Sequence, residues 1–438
     1  MSSLPMTAHG KIKATRILSM LRHKRLPGQL VIQLTDRCNA RCPQCGMRVT
    51  EPFDRSSLSV ERIKPMLRAA AEKGFAAVSF TGGEPLLRLK ELTTLISYAG
   101  AQGIPCIRTG TNGFIFQYSQ SPEFSSRIAR VADALAETPL RNFWISIDSF
   151  IPEVHEGMRG FKGIIRGLEK ALPIFHARGL YPSANLGINR NLGGHLTREL
   201  SRTQFHCEAA YLAEFYTRYL NAFHRYYRFI LSLGFTIVSA CYPMSLGNSE
   251  TDSGLSPVYA ATAVDDIVRF TNYEKALLFK ALGETVQAFR ADIRIFTPLC
   301  SLDMLENQCG DLFGNTYSCR GGIDFFFVNA SQGDTFPCGY RGMENLGKFQ
   351  QLNQTAINTS ASCTACDWEC FRDPSTLSGP FLNGLFAPVR ELKKWVKSPR
   401  FYRHWLQDLL YYGACDFFNG RMPPRPERLR VFKQGKRT

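Results

Sequence analysis

Three cysteines stand close together near the start of the chain, directly after an apolar segment. They are Cys38, Cys42 and Cys45 in LVIQLTDRCNARCPQCGM, which gives the spacing C-x3-C-x2-C. Thiolates are soft ligands, and a short loop with this spacing can fold three of them around one iron–sulfur cluster. A cubane [4Fe–4S] cluster has four irons, so three protein ligands leave one iron open. The spacing therefore predicts a [4Fe–4S] site that can bind a small molecule.

Structural zinc is the alternative for the same three cysteines. Structural zinc sites usually close with four ligands. His23 lies upstream of the loop, and the next cysteine along the chain is Cys106. The lack of a fourth ligand nearby favours the iron–sulfur interpretation, although the spacing alone leaves zinc open.

A glycine pair follows the next strand-like segment. AAVSFTGGEPLLR contains Gly82, Gly83 and Glu84 at the point where the strand pattern ends. Paired glycines let backbone carbonyls approach a ligand closely, and Glu84 adds an acceptor for an ammonium group. A glycine pair alone usually marks only a tight turn, so its value lies in its combination with the cysteines.

The two motifs in this order resemble the signature of the radical S-adenosylmethionine (SAM) enzymes, C-x3-C-x2-C followed by a GGEP-like segment. The resemblance covers residues 29–300 and a second stretch near the C-terminus. It implies that SAM binds the open iron and is cleaved reductively at its C5′–S bond. The resulting 5′-deoxyadenosyl radical then abstracts hydrogen from an unactivated C–H bond. These expectations include a partial (β/α)6 barrel.

The resemblance also implies which residues contact SAM. Gly82, Gly83 and Glu84 match the segment that holds the ammonium group, and Arg159 in HEGMRG matches an arginine that pairs with the carboxylate. Further candidates end predicted strands, where similar enzymes place polar groups near the ribose, carboxylate or substrate: Asn112, Ser146, Asp148, Asn189 and Arg190.

Ordinary structural roles compete with these assignments. Asp148 could cap the following helix, Arg159 could pair with Glu156, and Asn112 followed by glycine is common turn chemistry. The functional interpretation is favoured most for the glycine segment.

A second group of cysteines lies nearer the C-terminus. Cys319 and Cys338 have the spacing C-x13-G-x4-C, and the residues between them predict a small hairpin. Cys363, Cys366 and Cys370 follow as C-x2-C-x3-C. The pattern resembles the SPASM and twitch auxiliary domains of radical SAM enzymes, which hold extra [4Fe–4S] clusters.

Because a full SPASM domain uses seven cysteines, the resemblance implies a twitch-like domain with one auxiliary [4Fe–4S] cluster. The implied ligands are Cys319, Cys338, Cys363 and Cys366, with Cys370 as a substitute or a substrate-accessible ligand. Structural zinc is a stronger alternative here, since four thiolates also suit a closed zinc site. Cys300 and Cys309 have no assignment. The metal ligands predicted in this region are Cys319, Cys338, Cys363, Cys366 and Cys370.

Strand-like and helix-like segments alternate along the chain, which predicts a parallel sheet covered by helices. In such folds ligands bind at the carboxyl ends of strands, where the motifs above fall. The predicted strands are 30–35, 76–82, 105–112, 142–148, 183–189 and 235–242. The aromatic residues of 211–230 are expected to pack in the core, and 244–266 is expected to be a long loop.

The predicted division has four parts. Residues 1–28 are a basic segment, 29–298 the radical SAM core, 299–380 a twitch/SPASM-like α+β domain, and 381–438 a basic helical tail. The first and last parts hold most of the formal net charge of +16. A nearly neutral body argues against a nucleic-acid clamp, including a zinc-stabilised one, so no nucleic-acid partner is expected.

The basic ends leave two interpretations open. Packed terminal helices with solvated basic faces are favoured, and contact with a membrane surface is the alternative. In the C-terminal stretch the aromatic residues concerned are Trp395, Phe401, Tyr402 and Trp405. No signal peptide or membrane-spanning run is visible, so a cysteine-rich cytoplasmic protein, peripheral to a membrane in the alternative, is expected.

The predicted function is that of a radical SAM oxidoreductase or maturase acting on a peptide, a protein or a small molecule. SAM and a reductase such as flavodoxin or ferredoxin are the expected partners. One alternative is a membrane-surface enzyme acting on a lipid-linked substrate. Another is a non-catalytic iron–sulfur scaffold or electron carrier, against which the intact glycine segment argues.

Overall fold

The computed structural model describes residues 14–45, 54–243, 255–258, 266–310 and 317–433. Within these residues the strands are β1 (Gly28–Thr35), β2 (Phe75–Gly82), β3 (Cys106–Thr111), β4 (Asn142–Ser146), β5 (Ser183–Gly187), β6 (Ile237–Cys241), β7 (Arg294–Ile295), β8 (Phe325–Val328) and β9 (Thr335–Phe336). They form one sheet in the order β7-β6-β5-β4-β3-β2-β1-β8-β9. All neighbouring pairs are parallel except β8 and β9.

Helices connect the parallel strands. In the described part of the chain they are α1 (Ala14–Arg22), α2 (Val60–Glu72), α3 (Leu89–Ala101), α4 (Phe124–Ala136), α5 (Pro152–Arg159), α6 (Ile164–His176), α7 (His195–Arg198), α8 (Glu208–Leu233), α9 (Asn272–Phe289), α10 (Leu299–Cys309), α11 (Glu369–Phe386), α12 (Pro388–Lys397), α13 (Pro399–Ala414) and α14 (Pro426–Leu429). At least one helix follows each of β1 to β6. The predicted partial (β/α)6 barrel is confirmed as an open parallel sheet with crossover helices.

The sheet has an apolar face and a polar face because side chains alternate along each strand. In β1, Leu30, Ile32 and Leu34 are fully buried in the main hydrophobic core. Gln29 and Gln33 point to the opposite side of the strand. Helices such as α2, which begins at the N-cap Ser59, cover the apolar face.

The long helix α8 supplies much of the aromatic core. Its buried residues include Tyr211, Phe215, Tyr219, Phe223 and Tyr226. The prediction that these aromatic residues pack in the core is confirmed. The predicted loop over 244–266 lies largely outside the described residues, which include only 255–258 and position 266 of it.

The cysteine-rich region extends the core sheet. β8 pairs with β1 in parallel, with Gln29 opposite Phe325, and β9 pairs with β8 as the arm of a hairpin. The predicted hairpin is therefore present. It continues the sheet of the preceding region, while the limits of the predicted domains remain predictions.

The C-terminal helix α13 packs against the core. Phe401, Tyr402 and Trp405 are buried, as the packed-helix interpretation predicts. Asp408 accepts the backbone N–H groups of Leu299 and Cys300 at the start of α10. No helix in the described part of the chain is long and apolar enough to cross a membrane.

Candidate functional site

The first cysteine loop follows β1 at the carboxyl edge of the sheet. Cys38 and Cys45 are exposed and Cys42 is buried. The Cys45 N–H donates to the Cys42 carbonyl at 3.0 Å, which turns the loop back on itself. The pKa of Cys42 is raised to about 11, chiefly by burial; Arg159 lowers it, while Cys45, Asp148 and Cys38 raise it. Three thiols thus share one small region and interact electrostatically.

The glycine pair packs directly against the chain segment that leads into the cysteine loop. Gly83 N–H donates to the Thr35 carbonyl (2.7 Å), and Glu84 N–H donates to the Arg37 carbonyl (2.9 Å). A Cβ atom would lie 1.9 Å from the Thr35 oxygen at Gly82 and 2.1 Å from the Arg37 oxygen at Gly83. Only glycine fits at both positions, so the pair sets the position of the cysteine loop.

The Glu84 side chain is buried and bound to backbone N–H groups. Its carboxylate is fully buried and accepts the backbone N–H groups of Leu86 (3.0 Å) and Asn112 (2.6 Å). Burial raises its pKa to about 7, although these hydrogen bonds oppose the rise. Both oxygens thus hold the ends of neighbouring elements together, and a role of this carboxylate as an acceptor for an ammonium group stays a prediction.

Asn112, directly after β3, reaches the cysteine loop. Its Nδ2 lies 3.5 Å from Cys38 Sγ and donates to Asn39 Oδ1 at 3.0 Å. Its Oδ1 accepts the Phe114 N–H, which forms the turn expected after a strand. The structure therefore brings Asn112 to the predicted site.

Arg159 and Asp148 meet on the other side of the loop. Arg159 Nη2 lies 2.5 Å from Asp148 Oδ2, and its Nη1 lies 3.6 Å from Cys42 Sγ. Gln44 Nε2 donates to the same Asp148 oxygen at 2.7 Å. Burial alone would lower the pKa of Arg159, but Asp148 and Cys42 hold it above its usual value. Arg159 Nε is buried and has no hydrogen-bond partner among the described residues.

The competing structural roles of these two residues are absent from the described contacts. Glu156, considered as a partner for Arg159, instead accepts the N–H groups of Gly163 and Ile165. Asp148 Oδ1 accepts the Gly187 N–H of β5 at 3.2 Å, which ties two strand ends together.

The remaining strand-end candidates divide into two groups. Ser146 is half-buried at the end of β4, in register with Asn185. Asn189 Nδ2 donates to the Asp148 and Gly187 carbonyls, so it joins two loops. Arg190 forms an ion pair with Glu274 at 2.8 Å.

His155 was missed by the sequence analysis. It is fully buried, its Nδ1 accepts the Asp148 N–H at 3.2 Å, and its Nε2 has no partner within the described part of the chain. Burial lowers its pKa to about 4. One helical turn separates it from Arg159 in α5, so the spacing in HEGMRG placed both on one face.

A second group of thiols surrounds a small cavity beside β8. Cys319, Cys338, Cys363 and Cys366 line it together with residues that include Trp368 and Arg341. The Cys319 N–H donates to the Cys363 carbonyl at 2.7 Å. Burial raises the pKa of Cys338 to about 12. Across the described ranges, no three His, Cys, Asp or Glu side chains form a group that could hold a single metal ion.

Cys370 does not line that cavity, although it packs against the hydrophobic cluster that contains Cys319 and Cys338, so its role as a ligand stays a prediction. Its thiol lies 3.7 Å from Glu369 Oε1, and Cys241 at the end of β6 interacts with the same glutamate. Cys370 belongs to the first turn of α11, which begins at Glu369. Cys300 lies beside Asp408 and takes no part in the cavity lining.

The polar face of the sheet carries further side chains that the sequence analysis did not single out. Arg108 Nε donates to Ser79 Oγ at 3.1 Å, and Asn185 Nδ2 lies 3.2 Å from Cys241 Sγ. Burial raises the pKa of Glu369 to about 7, and its Oε2 has no partner. The alternation of side chains along the strands was the signal that could have identified the strand residues.

Residues 32–189 match the family model of the Radical SAM superfamily. The chain therefore contains a radical SAM domain, and the resemblance seen in the motifs is confirmed. Domains of this family use a [4Fe–4S] cluster and SAM. The matched region includes the cysteine loop, the glycine pair and the Arg159–Asp148 pair.

Similar curated proteins include the GTP 3′,8-cyclase of Vibrio parahaemolyticus, 32% identical over 152 residues that cover 33% of this chain and 42% of the relative. The GTP 3′,8-cyclase of Syntrophomonas wolfei is 36% identical over 135 residues, which cover 30% and 37%. Molybdenum cofactor biosynthesis protein 1 of Mus musculus is 29% identical, with 33% and 22% covered. The chain spans less than half the length of these relatives.

Among solved structures, the chain is similar to Streptococcus suis SuiB bound to S-adenosylmethionine, with a TM-score of 0.48 and 15% identity over 74% of this chain and 64% of SuiB. It is also similar to anSMEcpe with bound AdoMet, with a TM-score of 0.43 and 14% identity over 74% and 78% of the two chains.

Proposed function

We propose that this protein is a radical SAM enzyme in which Cys38, Cys42 and Cys45 hold the catalytic [4Fe–4S] cluster. The observation that carries the proposal is the meeting of three thiols, a glycine-packed loop and a partly unpaired arginine at one edge of the sheet. Such a cluster, when bound, supplies the electron that cleaves SAM to methionine and a 5′-deoxyadenosyl radical, which takes hydrogen from the substrate.

The residues present fit that cluster. The three thiols sit on one loop, which matches the soft ligand preference of iron–sulfur clusters. The loop is held from two sides, by the glycine pair of β2 and by the contact of Asn112 with Cys38. A rigid support of this kind keeps the ligands in one arrangement when the cluster binds.

Arg159 is suited to hold the carboxylate of SAM. Its Nε is a buried donor with no partner in the ranges that the structure describes, and a guanidinium binds a carboxylate through two donors. Asp148 pairs with the Arg159 guanidinium, and Gln44 donates a hydrogen bond to Asp148, so these two residues orient the arginine. Ser146 lies near the same strand end and is suited to a polar contact with SAM or substrate. The Gly82 and Gly83 backbone would contact the ammonium group.

An auxiliary [4Fe–4S] cluster bound by Cys319, Cys338, Cys363 and Cys366 is part of the proposal. Its support is the cavity that these four residues line together. Zinc is the alternative occupant, because four thiolates also suit a closed zinc site, although no three described His, Cys, Asp or Glu side chains form a group that could hold a metal ion. The proposed limits of the two parts are 29–298 and 299–380.

The substrate is proposed to be a polar small molecule or a peptide that occupies the polar face of the sheet. Arg108, Asn185 and Glu369 offer a cation, an amide and a carboxyl group there. The relatives named GTP 3′,8-cyclase act on a small molecule by their name, which supports the first class. Reduced flavodoxin or ferredoxin is the proposed electron donor.

The test uses protein loaded with iron and sulfide under anaerobic conditions, reduced chemically and mixed with SAM. We expect release of 5′-deoxyadenosine, measured by liquid chromatography and mass spectrometry, and its loss in Cys42→Ala. Cys106→Ala is the matched control, because Cys106 begins β3 at the opposite end of the strand. An electron carrier or scaffold would release no 5′-deoxyadenosine, and release by Cys42→Ala would refute the assignment of the ligand.

A further inference from the structure

Helix α12 turns an apolar row outward. Val389, Leu392 and Val396 are spaced by three and four residues, so they lie on one side of the helix. Their exposed fractions are 69%, 64% and 76%. A helix that packs on a globular core normally directs such a row inward.

A polar residue faces the protein instead. Glu391 is buried, and its Oε1 accepts hydrogen bonds from the hydroxyl groups of Tyr317 (2.6 Å) and Tyr402 (2.7 Å). Trp395 stacks on the Tyr402 ring with the centroids 5.2 Å apart. These contacts fix the rotation of α12 about its axis, so the apolar row is held at the surface by the fold.

The end of α11 continues this apolar surface. Leu385 is 59% exposed and Phe386 is 40% exposed, and one residue, Ala387, separates the two helices. We call the exposed residues of the two helices the α11–α12 apolar face: Leu385, Phe386, Val389, Leu392 and Val396. The Lys24 ammonium lies 5.4 Å from the centre of the Phe386 ring, which adds a cation at its edge.

The exposed charged residues of α12 are all cations. Arg390, Lys393 and Lys397 are exposed on α12, and its acidic residue, Glu391, is buried. Apolar side chains bordered by exposed cations are typical of helices that lie in the interface of an anionic membrane. A second copy of the chain would bring the same cations together, which disfavours self-association through this face.

We propose that the α11–α12 apolar face docks the protein on a lipid bilayer that carries anionic headgroups. The apolar row enters the headgroup region, and Arg390, Lys393 and Lys397 contact lipid phosphates. The proposal does not rest on the proposed catalysis, because vesicle binding and 5′-deoxyadenosine release are separate measurements.

The test is sedimentation of the cluster-loaded protein with vesicles of phosphatidylcholine containing about 30% phosphatidylglycerol. We expect binding that weakens when salt is raised from about 0.1 M to about 0.5 M, because salt screens the cations. Val396→Glu should weaken binding at least about tenfold, since a carboxylate would enter the interface. The matched control is Val431→Glu, because Val431 is 77% exposed and Val396 76%.

The fluorescence of Trp395 gives a second measurement, which reports whether α12 lies at the vesicle surface. Its emission should shift to shorter wavelength on adding these vesicles, and the shift should be absent in Trp395→Phe. Absence of binding by the wild-type protein, or equal binding by the Val396→Glu and Val431→Glu variants, would overturn the proposal. So would a dimer in light scattering that Val396→Glu dissociates, together with no vesicle binding, because a second copy would then occupy the face.

Discussion

Arg159 and Asp148 form a buried ion pair that joins the end of α5 to the end of β4 beside the cysteine loop. The two side chains are 12% and 1% exposed, and the same guanidinium also contacts Cys42. Because Asp148 also binds Gln44 of the loop, one carboxylate holds both the arginine and the cysteine segment. The pair is therefore the structural link between the helix and the candidate cluster site.

Arg159→Ala should destabilise the protein, because it leaves the Asp148 carboxylate buried without a cation. We expect a loss of about 3 kcal/mol in the free energy of unfolding, toward the lower end of the range for broken buried pairs, since Gln44 still donates to Asp148. Anaerobic chemical denaturation measures it. The matched control is Arg178→Ala, which removes an exposed pair with Asp133 and should cost below about 1 kcal/mol. Equal losses would contradict the importance of the buried pair.

His155 should make stability depend on pH. Its pKa is about 4 in the folded protein and 6.5 when the ring is fully exposed to water, so the unfolded chain binds a proton first as pH falls. Stability should therefore fall by about 2 kcal/mol between pH 6.5 and pH 5, and His155→Asn should remove this loss.

The His155 effect is read as the difference between wild type and variant at each pH. Glu84 and Glu369, whose pKa values burial raises to about 7, act in the opposite direction in the same range. The control is His23→Asn, which changes an exposed histidine. An unchanged dependence in His155→Asn would show that this ring is not the group responsible.

Gly83→Ala should displace the cysteine loop, because the new Cβ would meet the Arg37 carbonyl oxygen at 2.1 Å. We expect a loss of at least about 2 kcal/mol in stability and a lower iron content after reconstitution. Gly157→Ala is the control, since nothing lies within 4 Å of its Cβ position in α5. That variant should be neutral or slightly more stable. Normal iron content in Gly83→Ala would show that the loop tolerates the displacement.

Two cysteine variants test which cysteines belong to the proposed auxiliary ligand set. Anaerobic reconstitution should load about eight irons, from two clusters of four. Cys338→Ala should lose about four of them, because Cys338 lines the cavity with three other cysteines. Cys370→Ala should lose none, because Cys370 lies with Glu369 instead. Iron and acid-labile sulfide are assayed together. A wild-type count near four with bound zinc would favour the zinc alternative.

Much of the fold follows from local patterns in the sequence. Alternating apolar side chains in β1 and helical spacing in α8 depend on neighbours a few residues away, and both were predicted. The pairing of β1 with β8, with Gln29 opposite Phe325, was not predicted. Such a contact depends on the packing of the whole sheet, for which no local signal exists.

The sequence by itself determined the chemistry of the site: three thiols, a glycine pair and an arginine, each at the end of a strand or helix. Residue type and spacing are local properties, and they specify which atoms are available. Tertiary structure alone decided which atoms are free. It bound the Glu84 carboxylate to two backbone N–H groups, paired Arg159 with Asp148, and placed the Cys370 thiol beside Glu369. A buried polar group takes whichever partner the fold brings within reach, and that partner lies far away in the sequence.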